Sequence, residues 1–236
     1  MLKKFIANLL PSRCLLCSQR CYGEELCVAC LKELPILTEI CPRCALPFST
    51  IGLPLLCGKC LKTPPPFDNS YVLFAYEGAI PHLVTHLKFH AQLIYAELLG
   101  KWLAQKIASS WYAGKTLPDC IIPVPLHPQR LRERGFNQAL EIAKPIASTL
   151  KLPLLKRGII RIKYTQPQTI LPASKRQQNM RKSFYTVEDY TGRHVAIVDD
   201  VMTTGHTLTE LSHTLKNAGA KRIDVWCCAR SLQHAK

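Results

Sequence analysis

Between Ile142 and Val187 the sequence contains no aspartate or glutamate, while ten lysines and arginines fall in the same stretch. The shortage of acids runs through the whole chain, with 16 Asp and Glu against 31 Lys and Arg in 236 residues, a formal net charge of +15. Such a balance favours polyanionic partners, nucleic acid among them, and is silent on fold. Aromatic residues are sparse among the basic ones, so no stacking platform for single strands is evident. Long hydrophobic runs are missing too. None approaches the roughly 18 residues of a membrane span, although a 47% apolar share excludes wholesale disorder. The start, Met1 to Leu10, holds a short apolar stretch broken by Asn8 and followed by Pro11, with no small-residue cleavage site. The expectation is a short amphipathic helix rather than a secretory leader, and a cytoplasmic chain.

Cysteine is abundant but unevenly placed, with nine of the twelve in the first 60 residues. Eight form four Cys-x-x-Cys knuckles: Cys14/Cys17, Cys27/Cys30, Cys41/Cys44 and Cys57/Cys60. Two knuckles complete one tetrahedral four-cysteine zinc site, whose filled positions leave no room for catalysis. Disulfides compete, but nothing points to an oxidising compartment. Sequential pairing gives two small ribbons and interleaved pairing a cross-brace; short loops and internal repetition favour the first. Cys21 is left over as a spare thiol. A unit of this size cannot fold on apolar burial alone, and each Zn2+ would contribute about 10–16 kcal/mol of apparent binding energy. With two zincs on eight thiolates the formal charge falls to about +11.

The stiff segment Thr63-Pro64-Pro65-Pro66-Phe67-Asp68 marks the best boundary. The expected organisation is a double zinc ribbon over 1–62, a proline-rich linker over 63–68 and an α/β domain over 69–236. Tyr71 to Tyr76 reads as a strand. Leu83, Leu87, Ile94, Leu98, Trp102 and Ile107 then fall at helical intervals. His82, His86 and His90 share a helix face, with no carboxylate or cysteine nearby to complete a metal site, and read as partly solvated histidines beside an apolar stripe. Cys120 to Pro125 is a central strand ending in a proline-fixed loop. A helix follows with Ala139, Leu140, Ala143, Ile146 and Ala147 inward and a kink at Pro145. Leu154 to Ile162 supplies another strand. Leu208, Leu211, Leu215 and Ala218 line a helix capped by Gly219, and Arg222 to Ala229 is a closing apolar strand. Strands alternating with helices give a mostly parallel sheet with helices on both faces.

The most informative segment is Val195-Ala196-Ile197-Val198-Asp199-Asp200-Val201-Met202-Thr203-Thr204-Gly205-His206-Thr207. Four apolar residues make a buried strand, two carboxylates sit at its carboxyl end, and a hydroxyl- and glycine-rich turn enters a helix. Ligands of open α/β sheets bind beyond the strand ends. Carboxylates accept from ribose hydroxyls, while backbone N–H groups and Thr hydroxyls take a phosphate at the helix N-terminus. A further stretch, Tyr164 to Lys182, lacks any apolar period and is rich in Gln, Pro and basic side chains. A loop of that length in a compact domain reads as a cationic flap or binding element.

The 195–207 segment resembles the phosphoribosyl pyrophosphate (PRPP) signature of type I phosphoribosyltransferases. The resemblance implies that Asp199 and Asp200 hold the ribose hydroxyls and that the turn Val201, Met202, Thr203, Thr204, Gly205, His206 and Thr207 holds the 5′-phosphate. Purine-salvage members carry an acid where this chain has Thr203, so hypoxanthine or guanine chemistry is disfavoured. With zinc ribbons in front, Pro123-Val124-Pro125, and Arg134-Gly135-Phe136-Asn137-Gln138, the chain resembles the competence protein F family over essentially its full length. That implies a type I phosphoribosyltransferase-like fold behind a zinc ribbon, linked to natural transformation and use of external DNA. By position, Pro123, Val124, Pro125, Leu126 and His127 would form the pyrophosphate loop. Gln166, Arg176, Asn179 and Arg181 would belong to the flexible loop, with Arg176 and Arg181 stabilising the leaving group. Arg132 and Arg134 would contact phosphates or DNA, and Lys88 is a further candidate.

Two functions follow as expectations. In one, Mg2+ bridges PRPP oxygens and the chain transfers or processes a phosphoribosyl group, with a nitrogenous acceptor or water as the attacking group. In the other, the pocket serves as a PRPP sensor or relic, and the chain is a non-catalytic adaptor for single-stranded DNA and DNA-uptake proteins.

Overall fold

A computed structural model of the chain describes residues 12–21, 25–48, 56–163 and 183–232. Two short strands, β1 (Ser12–Arg13) and β2 (Arg20–Cys21), pair antiparallel around the first knuckle. Helices α1 (Val28–Lys32) and α2 (Gly58–Lys62) each start directly after a knuckle cysteine, Cys27 and Cys57. The main sheet follows: β3 (Asn69–Ala75), α3 (Ile80–His90), α4 (Ile94–Lys106), β4 (Cys120–Pro123), α5 (Pro128–Arg134) and α6 (Gln138–Leu150). Then come β5 (Ile160–Arg161), β6 (Phe184–Tyr185), β7 (His194–Met202), α7 (His206–Asn217) and β8 (Arg222–Arg230).

Four strands form a parallel sheet in the order β3-β8-β7-β4, so β7 and β8 are central. Parallel strands covered on both faces read as continuous apolar runs, and Val195 to Val198 and Val225 to Ala229 are fully buried. On one face α3, α4 and α6 pack through Leu83, Leu87, Leu99, Ile142 and Ile146. On the other α7 packs through Leu208, Leu211 and Leu215. Gly219 ends that helix region at φ +92, where a Cβ would meet Thr191 Oγ1 at 2.6 Å.

Both cysteine-rich ribbons are built into this core. Cys14, Leu26 and Leu34 join the first cluster, while Ala45 is buried in the second beside Phe67 and Val72. Between the ribbons the chain runs along the β3 edge, with Leu37 N–H bonding Leu73 O and Ala75 N–H bonding Pro35 O, both at 2.8 Å. That contact covers an otherwise open sheet edge. At the start of β3, Phe67 is buried and Asp68 accepts Ile223 N–H at 2.8 Å and Lys216 Nζ at 3.2 Å.

Three sequence expectations need adjustment. The helical spacing over 83–107 is two helices, because Ala91 takes the left-handed conformation at φ 51 and turns the chain between α3 and α4. Of Leu154 to Ile162, only the start joins the sheet, Leu154 as an isolated bridge to Ile121 and Leu155 N–H bonding Ile121 O at 2.9 Å; the chain then lifts away, and Ile160–Arg161 pairs antiparallel with Phe184–Tyr185. Gly158 permits this path, since a Cβ there would lie 2.4 Å from the Tyr190 hydroxyl. The β7 strand also runs past the acids to Met202, because β8 pairs with it through Met202↔Arg230. Pro145 lies inside α6 without ending it.

At the amino ends of the strands a polar cluster replaces apolar packing. Asp224, fully buried on β8, accepts from Tyr112 OH, Arg222 Nη2 and Asn69 Nδ2, and pairs with His194 Nε2 at 2.8 Å. Removing a shared acceptor of this kind leaves its buried donors uncompensated. Asp224→Ala is therefore expected to lower unfolding free energy by about 3 kcal/mol or more, read by urea denaturation, with zinc content unchanged. A loss below about 1 kcal/mol would show that the cluster is not the clamp described.

Candidate functional site

Asp199 and Asp200 lie near the carboxyl end of β7, 9% and 3% exposed. Consecutive strand residues lean to opposite faces. Asp200 therefore meets α3 and α6, pairing with Lys88 Nζ and accepting Gln138 Nε2 at 3.3 Å. Asp199 lies toward β5, in the field of the Arg161 guanidinium, which stacks 5.6 Å from the Phe184 ring. Asp200 N–H donates to Asp199 Oδ1 at 2.9 Å and holds the first carboxylate across the strand end. Burial pushes both carboxyls up. At Asp199 the neighbouring Asp200 charge adds to burial, and the carboxyl sits well above the usual range. At Asp200 the Lys88 ammonium outweighs burial and holds the carboxyl below it. One acid is thus kept ionised, while its neighbour carries the strain of a second charge.

The turn after the strand is set by Gly205, in the left-handed region at φ +81 as the N-cap of α7. The first bond of that helix runs from Thr209 N–H to Gly205 O at 2.9 Å, so the amides ahead of it lie outside the helix ladder. Thr204 Oγ1 is buried and makes no hydrogen bond among the described residues. Val201 and Met202 belong to the strand and pack into the core; Thr203, Thr204, His206 and Thr207 are partly exposed.

A second loop approaches from β4. Val124 N–H bonds Val198 O at 2.9 Å, and Asn137 Nδ2 donates to Val124 O at 3.0 Å while its Oδ1 caps α6 through Ala139 N–H. Pro123 and Val124 are therefore buried, and Pro125 reaches the surface. Arg134 reaches the carboxylates indirectly, donating to Gln138 Oε1 at 2.5 Å. Arg132 is exposed on α5 and is not brought to them. Gln166, Arg176, Asn179 and Arg181 lie outside the described residues.

The eight knuckle cysteines fall into two groups, Cys14, Cys17, Cys27 and Cys30, and Cys41, Cys44, Cys57 and Cys60, with the ligand atoms of each within 4.8 Å of one another. This is the sequential pairing. Tetrahedral Zn2+ with bonds near 2.3 Å places its sulfurs about 3.8 Å apart. The Cys17–Cys27 and Cys44–Cys57 sulfur pairs are 3.7 and 3.6 Å apart, and none of these cysteines is in a disulfide. The thiols compete within each group. Backbone N–H groups outweigh burial at Cys14 and Cys41, holding them down to about 6 and about 7, whereas burial pushes Cys44 up to about 11. A divalent cation removes that conflict by taking four thiolates together. The double ribbon is a structural zinc unit. Cys21 stays outside both groups, buried beside Ser12.

Lys88, a candidate by position, pairs with Asp200, and Gln138, which stood only as part of a motif, joins it; Arg161 and Arg230 were not expected near the site. Arg230, 4% exposed, donates to the carbonyls of Met202 and Ser231 at 2.9 Å and to that of Thr203. A lone cation ending a buried apolar strand was the available clue.

Residues 137–236 match the phosphoribosyl transferase domain, and residues 5–61 the double zinc ribbon domain. The DNA utilization protein YhgH of Salmonella typhimurium is 34% identical over 225 residues, 94% of this chain and 98% of that protein. Competence protein F of Haemophilus influenzae is 32% identical over 231 residues, 95% and 99% of the two chains. Among solved structures, the glutamine phosphoribosylpyrophosphate amidotransferase of B. subtilis matches 56% of this chain and 25% of that chain at 25% identity and a TM-score of 0.36.

The opposed carboxyl shifts predict opposite stability effects. Asp199 has a raised folded value, so its penalty is absent below about pH 4 and grows as pH rises toward that value. Asp200 has a lowered one, so its stabilisation is present above about pH 4 and fades as pH falls through the folded value. Asp199→Asn should stabilise the protein at pH 7 by on the order of 1 kcal/mol, with the gain vanishing in acid. Asp200→Asn should cost about 1–3 kcal/mol at pH 7, less than a fully buried pair because Lys88 keeps a solvated side. Calorimetric melting temperatures from pH 3 to 8 check both; shifts of the same sign at pH 7 would refute the assignment.

Proposed function

The chain belongs to the family of competence protein F and DNA utilization protein YhgH, and from that membership we propose that it binds PRPP and transfers its phosphoribosyl group to an acceptor. One observation carries the reading: a carboxylate held ionised by Lys88, a second carboxyl beside it, and a Gly205 turn with amides off the helix ladder share one strand end. Asp199 and Asp200 accept hydrogen bonds from the ribose 2′ and 3′ hydroxyls. The amides and hydroxyls of Thr203 to Thr207 take the 5′-phosphate, and the unpartnered Thr204 Oγ1 is the kind of group such a ligand satisfies. The loop from Pro123 to His127 faces the pyrophosphate. Arg176 and Arg181 counter the charge of that group as the C1–O bond breaks.

Hard carboxylate oxygens suit Mg2+, and Asp199, buried at the strand end and in no salt bridge among the described residues, would be the side chain to hold it. The cation supplies charge neutralisation on the pyrophosphate. Calorimetry with PRPP and Mg2+ tests the reading. The wild type should give a binding heat that the Asp199→Asn/Asp200→Asn double variant loses; a silent wild type, or an unaffected variant, defeats it.

A second reading draws on a cavity of about 400 Å³ lined by Lys88, Phe89, Ala91, Arg130, Arg134 and Phe136, with Glu133 the one acid among them. Phe89 is 71% exposed and carries the Arg134 guanidinium 5.7 Å from its ring centre. An exposed ring among cations is the stacking surface that the sequence did not reveal, and it favours an adaptor for single-stranded DNA. Oligonucleotide affinity should then fall steeply from 50 to 200 mM salt. Phe89→Ala should weaken it by about 1–3 kcal/mol at fixed salt. A flat salt dependence would remove this reading and leave the first intact.

A further inference from the structure

Arg230 is a buried cation with no carboxylate among the partners described for it. Its Nε donates to the carbonyl of Cys44 at 2.9 Å, and Nη1 to the carbonyls of Met202 and Ser231 at 2.9 Å and of Thr203. Cys44 belongs to the second four-cysteine group, and Met202 and Thr203 lead into the Gly205 turn. One guanidinium therefore joins the turn to Cys44, which lies 186 residues before Arg230 in sequence.

The consequence for the turn follows from peptide planarity. In a trans peptide the C=O and the next N–H point in opposite directions. Holding the Met202 and Thr203 carbonyls toward Arg230 turns the N–H groups of Thr203 and Thr204 away from it, as a cradle for an anion requires. A guanidinium fork does this in a fixed plane, which an ammonium cannot. The Cys44 carbonyl is in turn positioned by its knuckle, and the knuckle by four sulfurs spaced for tetrahedral Zn2+.

We propose that Arg230 is a positioning residue that links the second zinc site to the anion-binding turn, so that zinc held by Cys41, Cys44, Cys57 and Cys60 keeps the turn in its binding conformation. The link rests on the reading of residues 203–207 as the 5′-phosphate site. It gives the second ribbon a task beyond stability. The first ribbon, which packs through Cys14 and Leu26 against the helices of the other cluster, has no such contact among the described residues.

The test uses the full chain, with three readouts: zinc content by a chromogenic chelator, amide exchange of peptides covering 199–208 by mass spectrometry, and PRPP affinity by calorimetry. Arg230→Lys should keep two zincs, yet exchange faster across 201–208 and bind PRPP at least about tenfold more weakly. Cys57→Ser/Cys60→Ser should keep one zinc and show the same faster exchange; Cys27→Ser/Cys30→Ser should also lose one zinc but leave 201–208 as in wild type. Where a cysteine variant fails to fold, stepwise chelation of the wild type, read at the same peptides, replaces it. Wild-type exchange and affinity in Arg230→Lys with both zincs retained would overturn the proposal. Failure of the wild type to bind PRPP would instead defeat the ribose-phosphate reading, while the exchange arm would still decide whether zinc and turn are linked.

Discussion

Two carboxyl groups on consecutive residues of a strand covered on both faces cannot both ionise without a cation among them. Much of the molecule is arranged around that constraint. Lys88 arrives on α3 from the far side of the chain, and the left-handed turn at Ala91 ends that helix three residues later. Gln138, on the first turn of α6, uses its amide to join Arg134 to Asp200. The result is asymmetric: one carboxylate is ionised at neutral pH and the other resists ionisation. Such divergence between neighbouring titratable groups marks a candidate functional site, since stability alone does not favour keeping both acids.

The ribbons are not beads on a string. The first contributes Cys14, Cys21, Leu26 and Leu34 to the same cluster as Leu83 and Leu99, and the chain between the ribbons hydrogen-bonds along β3. A small cysteine-rich unit folds at the expense of metal-binding energy, and here that energy also covers a sheet edge. Lys101, paired with Glu25 at 3.0 Å, adds only a weak surface tie. The apolar contacts and backbone bonds set the docking.

What the sequence shows of this arrangement is what is encoded locally. The apolar run Val195 to Val198, the Thr- and Gly-rich turn and the knuckle spacings each state their structure within a dozen residues, and the parallel sheet follows from their alternation with helices. The continuation of β7 to Met202 was hidden, because two acids look like a strand end; the pairing of Met202 with Arg230 overrides them. Leu154 to Ile162 has apolar residues at both ends around Lys156-Arg157-Gly158, yet only Leu154 and Leu155 reach the sheet. Asp224 sits in what reads as an apolar strand, and its partners Tyr112, His194 and Asn69 come from three separate elements. Lys88 finds Asp200 112 residues away, and Arg230 finds Thr203, Met202 and Cys44 at 27, 28 and 186 residues, so no local pattern marks them.

The strand ends pose one last problem of satisfaction. Where β7 and β8 finish side by side, the carbonyls of Met202, Thr203 and Ser231 converge in a region largely closed to water. Buried carbonyls need donors, and a guanidinium brings five in one plane. Three carbonyls at Nη1 leave Nε unmet, and an unmet N–H on a buried cation is costly. The Cys44 carbonyl meets it. An α/β domain without the second ribbon would lack that acceptor, so the same guanidinium would have to find water or another partner. The ribbon thus supplies the acceptor for Nε of the residue that holds the turn's carbonyls, which joins the metal-held and sheet-held parts of the chain through one side chain.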